Sequence, residues 1–342
     1  MILFKKSMSS AILLSFAMLL LGADWAQESF VSMGTKVDVI LPAEHQEQVA
    51  GVRNEFLRIE EMMSEWKAGS PLTSVNNHAG EKPVPVPHEL YVLIEKGIQI
   101  GHQTNGAFDI SWAALWGLWD FKAVNSSPPD KVILQERLRL VGFKSIKLNP
   151  HKETVYLPRK GMKIGLGGIA KGYALQRAAH ILRQKGIQNY LLSAGGQVLS
   201  GGTKSGRAWR VGIRSPRGKP TEYFAVVDVM DVSVSTSGDY ERFFLYKGVR
   251  YHHILDMSTG APAAGTRSVT VIAEDAVLAD ALSTALFVLG AKESLRLVAN
   301  MEKVDALIVD AKGEMHFSKG LKSRMRFQGN RVPSKERHSE SK

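Results

Sequence analysis

Asp280 and Thr284 stand four residues apart in the stretch SVTVIAEDAVLADALSTALFVLG, residues 268–290. On a helix that spacing puts both on one face, a turn from each other. A carboxylate and a hydroxyl stacked this way offer two oxygens to a hard cation. Mg²⁺ typically takes one or two protein oxygens and completes its octahedron with water and substrate phosphate. An ordinary helical turn carries the same pair, and the spacing alone does not separate the two readings. A second stretch with chemical content lies at 162–184, where Gly165, Gly167 and Gly168 precede Lys171-Gly172 and a helical pattern. A Gly-rich turn feeding a helix presents free N–H groups and partial positive charge, which suits phosphate. Its spacing is neither a Walker A loop nor a dinucleotide fingerprint. A third, RYHHILDMSTGAP at 250–262, sets His253 and Asp256 around an apolar pair. Trp112, Trp116, Trp119 and Phe121 cluster where core packing and a wall for a flat ligand are both open readings.

The elements that must hold these residues follow from periodicity. Residues 268–272 alternate β-branched and polar types as a strand does, and Val277, Leu278, Leu282, Leu286 and Leu289 recur at helical spacing after it. Residues 29–41 read as a first strand containing Met33-Gly34-Thr35. Residues 45–68 read as an amphipathic helix with Val49, Val52, Phe56, Ile59, Met62 and Met63 on one face, and 70–80 as a polar loop. A helix over 89–103 stops at Thr104-Asn105-Gly106. A surface loop follows over 125–130, a short helix over 131–141 and a hairpin over 146–157. The Gly-rich turn is expected to follow a strand. Further strands are expected at 189–197, 209–214, 223–229, 231–235 and 243–246, a helix at 292–299, and a closing strand pair at 304–310 and 313–317. This pattern predicts an α+β fold: a single domain of mixed β-sheets with flanking helices.

Composition sets the bounds. A chain of 342 residues, 44% hydrophobic and 23% charged, is globular and can bury a sizeable core. The net charge of +11 gathers partly at the two ends, so it suits a phosphate-rich ligand or an anionic membrane surface, and no nucleic-acid partner is expected. Lys5-Lys6, an apolar run over 11–21 and small residues before position 26 make a secretory signal, cleaved or retained as an anchor, and give a periplasmic address with inner-membrane association as an alternative. With no cysteine, disulfides, thiol catalysis and thiolate metal sites are excluded. The domains expected are a leader over 1–26, a catalytic domain over 29–318 and a basic, disordered tail over 319–342.

Seven separated motifs in one order resemble the FAD:protein FMN transferases, the ApbE family. They are MGT at 33–35, TNGAFDIS at 104–111, GLGGIAKGYA at 165–174, SAGGQ at 193–197, TSGDYERFF at 236–244, HILDMSTGAP at 253–262 and ADALSTALFVLG at 279–290. The resemblance implies a T-fold-like domain that transfers FMN from FAD to a threonine or serine hydroxyl of an acceptor flavoprotein, releasing AMP. It implies an FAD site lined by Met33, Ala107, Phe108, Asp109, Gly165, Lys171, His253 and Ile254. It also implies Mg²⁺ held by Asp280, Thr284 and the Gly168 carbonyl, with His253 and Asp280 as the catalytic residues. Acceptors by analogy are membrane electron-transfer subunits and periplasmic reductases. An FAD pyrophosphatase and a flavin-binding protein without turnover are the rival readings. The chain departs from the family at Gly165, where an aspartate is usual, at Gln197 in place of an acid, and at Met257-Ser258. These departures bear on nucleotide affinity and leave the metal pair intact.

Overall fold

The computed structural model describes residues 24–121 and 126–328, so residues 1–23 of the expected leader, Asn125 and the chain beyond 328 lie outside the described residues. Trp25 and Ala26, expected in the leader, belong to the first strand of the fold. In chain order the strands of the two larger sheets are β1 (Trp25–Ser32), β2 (Thr35–Pro42), β3 (Tyr190–Ala194), β4 (Gln197–Gly201), β5 (Trp209–Arg214), β6 (Tyr223–Val229), β7 (Ser233–Gly238), β8 (Thr266–Ala273), β9 (Val304–Asp310), β10 (Met315–Phe317) and β11 (Met325–Phe327). The helices are α1 (Val49–Met63), α2 (Pro71–Asn77), α3 (His88–Gln103), α4 (Lys131–Leu138), α5 (Ala170–Gln184) and α6 (Ala276–Val298). Eight strands form the main sheet in the order β1-β2-β3-β4-β7-β8-β9-β10, and three form a smaller one in the order β11-β6-β5.

The α+β class is as expected, but the sheets are not mixed: every strand pairing among the described residues is antiparallel. Side-chain alternation explains the layering. Val37, Val39 and Leu41 of β2 face α1, α3 and α5, while Ile40 faces the smaller sheet. β8 is buried at every position. Its Val269 and Val271 meet α6, whereas Ile272 packs with Val234, Leu307 and Val309 beneath β5 and β6. The main sheet is thus sandwiched between helices and a second sheet, and its central strand needs apolar residues on both faces. The α1 stripe predicted from spacing is the one buried: Phe56 and Ile59 are fully enclosed, each such side chain contributing about 1.5–3 kcal/mol.

Five local expectations change. Residues 29–41 are two strands, because Met33 (φ 52°) and Gly34 (φ 68°) form a left-handed two-residue turn that closes a β1–β2 hairpin. Residues 70–80 are not a loop but contain α2, whose N-cap Ser70 accepts from the Thr73 N–H at 2.9 Å with Pro71 in the first turn. No strand leads into the Gly-rich turn, since residues 157–164 lie outside any described strand. The chain past 319 is not a solvated tail throughout: Leu321 and Met325 are buried, and β11 pairs with β6, so the folded part runs past 318 to at least Phe327. The helix expected at 292–299 is the continuation of α6 beyond a kink at Gly290 (φ 73°, ψ 174°). No described helix is long and apolar enough to cross a membrane.

Candidate active site

Asp275, not Asp280, caps α6: its carboxylate accepts from the N–H groups of Val277 and Leu278 at 2.9 and 3.0 Å. Asp280 therefore lies a turn inside the helix, where its side chain serves tertiary contacts. It is 4% exposed. The Gly172 N–H donates to its Oδ2 at 3.0 Å, and Lys171 Nζ lies 3.2 and 3.3 Å from its two oxygens. This approach needs glycine at 172. A Cβ there would collide with the Ala276 carbonyl oxygen and stand 2.8 Å from its carbon and 3.0 Å from Asp280 Cβ. Helices α5 and α6 meet at this point through bare backbone.

The diversion of the Gly172 N–H has a consequence one turn back. In a regular helix it would donate to the Gly168 carbonyl; here it goes to Asp280, and Gly168 O has no backbone donor among the described residues. Thr284 Oγ1 lies 3.7 Å from where a Cβ on Gly168 would stand, and it makes no hydrogen bond to another described residue. A carboxylate, a hydroxyl and an unclaimed carbonyl therefore gather at one place. That donor set is all oxygen and suits a hard cation, so these residues fit Mg²⁺.

The Gly-rich turn leads into α5, which has no side-chain cap. Gly165 is buried; its N–H donates to Ile110 O at 2.8 Å and its carbonyl accepts from Trp112 Nε1 at 2.9 Å. A Cβ at 165 would lie 2.7 Å from the indole. What Gly165 contributes is room for Trp112, because both its polar groups are already used. Buried Asn76 braces the same segment by donating to Ile164 O at 2.9 Å and accepting from Ile164 N at 2.7 Å. Lys171 Nζ also donates to Gly167 O at 2.9 Å. Half-buried Glu65 brings Oε1 within 3.8 Å of the Cβ position of Gly167. Burial pushes its carboxyl above the ordinary range, against the pull of the Leu166 N–H and Lys171.

Other expected residues divide into those at this point and those spent elsewhere. The Phe108 ring closes on Gly168, 3.1 Å from its Cβ position. A Cβ on Gly195 (φ 61°), in the β3–β4 turn, would stand 3.3 Å from Thr35 Oγ1 and 3.8 Å from Lys171 Cδ, so the MGT and SAGG motifs meet beside the lysine. Met33 is fixed through its N–H, which donates to Glu60 Oε2 at 3.0 Å. Asp109 is 9% exposed and caps a short turn. Its Oδ1 accepts from the Ser111 N–H and hydroxyl and its Oδ2 from the Phe143 N–H, so it holds the loop that presents Ala107 and Phe108. Ile254 is core, packed with β8 and α6.

The two adjacent histidines have different lives. His252 is buried, with Nε2 on Ala263 O at 3.0 Å, and its ring lies against Phe287. His253 is exposed, yet the packing around its ring, with Arg242 beside it, pushes the imidazole down to about 4. It is neutral at pH 7 and able to accept a proton. Gln197 is buried and its amide donates to the Ala276 carbonyl at 2.7 Å and to Ser233 Oγ at 3.0 Å. An acid there would oppose that carbonyl, so the amide suits its place as an anchor for the start of α6. The tryptophans split as well: Trp112 seals Gly165, Trp119 stacks with Phe121 and Tyr251, and Trp116 stays exposed against Trp66 at 4.0 Å.

Sequence reasoning missed Glu65 and Asn76. Ser-Pro at 70–71 was an available signal for α2, which carries Asn76; nothing local marks a side chain whose partner is 88 residues away.

A family model described as the ApbE family matches residues 33–308. The FAD:protein FMN transferase of Treponema pallidum is 36% identical over 284 residues, covering 78% of each chain. That of Klebsiella pneumoniae is 31% identical over 282 residues, covering 82% of this chain and 88% of its own. The crystal structure of the ApbE protein from Thermotoga maritima matches with a TM-score of 0.81 at 36% identity, over 88% of this chain and 99% of that one. The flavin transferase ApbE from Vibrio cholerae matches at 0.79 and 25% identity, over 89% and 100%.

Proposed function

The chain belongs to the ApbE family, and from that premise we propose that it is an exported FAD:protein FMN transferase that uses Mg²⁺ held by Asp280, Thr284 and the Gly168 carbonyl. The observation that carries the reading is the meeting of those three oxygens with Lys171 at the uncapped start of α5. When bound, Mg²⁺ would neutralise diphosphate charge and polarise a phosphoryl oxygen.

The protein's own groups fit the rest of the task. Lys171 and the first N–H groups of α5 offer positive charge to the diphosphate. The acceptor hydroxyl oxygen bonds to the phosphorus on the FMN side, the bond to the AMP phosphate breaks, and AMP leaves. Such transfer depends on positioning and charge stabilisation more than on covalent chemistry from the enzyme. His253, neutral at pH 7, is suited to take the hydroxyl proton. The acceptor is a threonine or serine on a flavoprotein, membrane electron-transfer subunits among them, and the leader-like N-terminus suits a periplasmic encounter.

Incubation of the purified protein with FAD, Mg²⁺ and a candidate acceptor tests the proposal. Mass spectrometry is expected to show the acceptor heavier by one FMN, with AMP released in equal amount. Free FMN with an unmodified acceptor, or FAD left intact, would reject it.

A further inference from the structure

Glu65 is a half-buried carboxylate with no ion-pair partner among the described residues. The nearest cation in the site, Lys171, spends its ammonium on Asp280 and the Gly167 carbonyl. An enclosed acid without a counter-ion is costly. The Leu166 N–H and the Trp66 indole N–H reach this one, but a carboxylate has about four acceptor sites, and such groups gather where a ligand supplies a further donor. Its position is specific. Glu65 Oε1 and the Trp112 ring lie 3.8 and 3.9 Å from the Cβ position of Gly167, the exposed residue of the Gly-rich turn. The next residue, Trp66, is exposed and meets exposed Trp116 edge-on. Position 165 can carry no acid because the Trp112 indole fills the space of its side chain. Glu65 is therefore the carboxylate that reaches this turn.

We propose that Glu65 is an FAD-binding residue whose carboxylate accepts a hydrogen bond from a hydroxyl or ring N–H of the dinucleotide lying over Gly167. The inference rests on the transferase reading and deepens it. A phosphate is excluded as the partner, since two anions at that distance repel. The diphosphate belongs instead with Lys171 and the start of α5, so Glu65 and Lys171 together fix which way round the dinucleotide lies.

The test is fluorescence-quenching titration with FAD in Mg²⁺ buffer for the wild type, Glu65→Gln and Glu65→Ala, each also titrated with FMN and with ADP. Loss of one charge-assisted hydrogen bond is expected to weaken FAD binding by about tenfold to a hundredfold in Glu65→Ala, with Glu65→Gln between it and wild type. The loss is expected for only one of the two fragments, with melting temperature unchanged in Glu65→Gln, whose amide oxygen still faces the Leu166 N–H. Unchanged FAD affinity in both variants would overturn the inference. Equal weakening of both fragments together with a lowered melting temperature would also overturn it, since that is the mark of a residue that only holds the turn. A wild-type protein that does not bind FAD at all would overturn the transferase reading as well, so the two failures are distinguishable.

Discussion

Replacing Asp280 by asparagine removes one charge while keeping the shape of the side chain. Two protein contacts change. The Gly172 N–H, 3.0 Å away, still finds an oxygen, now a neutral one; the difference between a charge-assisted and a neutral hydrogen bond is about 1 kcal/mol. Lys171, 3.2 Å away with a quarter of its side chain exposed, loses its counter-charge but can turn toward water, which holds that loss to about 1–2 kcal/mol. The metal-free variant should therefore be about 2–3 kcal/mol less stable and still fold, a drop of roughly 3–5 °C for a domain of this size. The functional change is larger in kind. Ligand at a hundred times its dissociation constant stabilises the wild type by about 2.7 kcal/mol. Thermal melts with and without Mg²⁺ and FAD should thus show a rise of several degrees in wild type and almost none in Asp280→Asn, and transfer should fall below detection. An equal ligand-induced rise in both proteins, in metal-replete buffer, would refute the assignment of Asp280 as a cation ligand.

Three further outcomes follow from contacts already described. Gly172→Ala must push α5 and α6 apart; it should cost about 1–3 kcal/mol in denaturant titration and weaken Mg²⁺-dependent FAD binding, and a variant of wild-type stability would show that the backbone contact is not tight. Gly165→Asp, which the family resemblance alone would favour, should instead displace Trp112, lower the melting temperature and weaken FAD binding; tighter binding would show that the indole yields readily. His253→Ala should slow transfer by about a hundredfold with FAD affinity little changed. Because the folded pKa is lowered to about 4 from 6.5, the wild-type rate should hold down to that region and fall only as the ring protonates below it. In the same window, between 6.5 and about 4, the unfolded chain binds the proton first, so acidification also lowers stability there. An acid limb near 6.5 would argue against the packed ring.

What could be read from the sequence was what repeats locally. The α1 stripe, the β8–α6 unit and the Asp280–Thr284 face follow from periods of 2.0 and 3.6, and the structure keeps them. The Met33-Gly34 turn was hidden because alternation continues on both sides of it, and only the backbone dihedrals separate one strand from two. The site is legible only in part for a related reason. That the Gly172 N–H leaves Gly168 for Asp280 joins residues 108 apart. Asp109 looked free for a nucleotide because the partner of its second oxygen, the Phe143 N–H, lies 34 residues on, although its first accepts from Ser111 two residues away. Glu65 was expected inside the helix over 45–68, but α1 ends at Met63 and Glu65 lies in the segment before α2. Residue type suggests what a group can do, and its remote neighbours decide whether it remains available to do it.

The smaller sheet has a bearing on how the chain reaches its shape. Trp25 from the first strand, Met325 and Phe327 from the last, and Leu321 just before it all enter the apolar layer beneath β5 and β6. That layer cannot close until residues some three hundred positions apart have both left the ribosome. Through most of synthesis the polypeptide therefore lacks its outer seal.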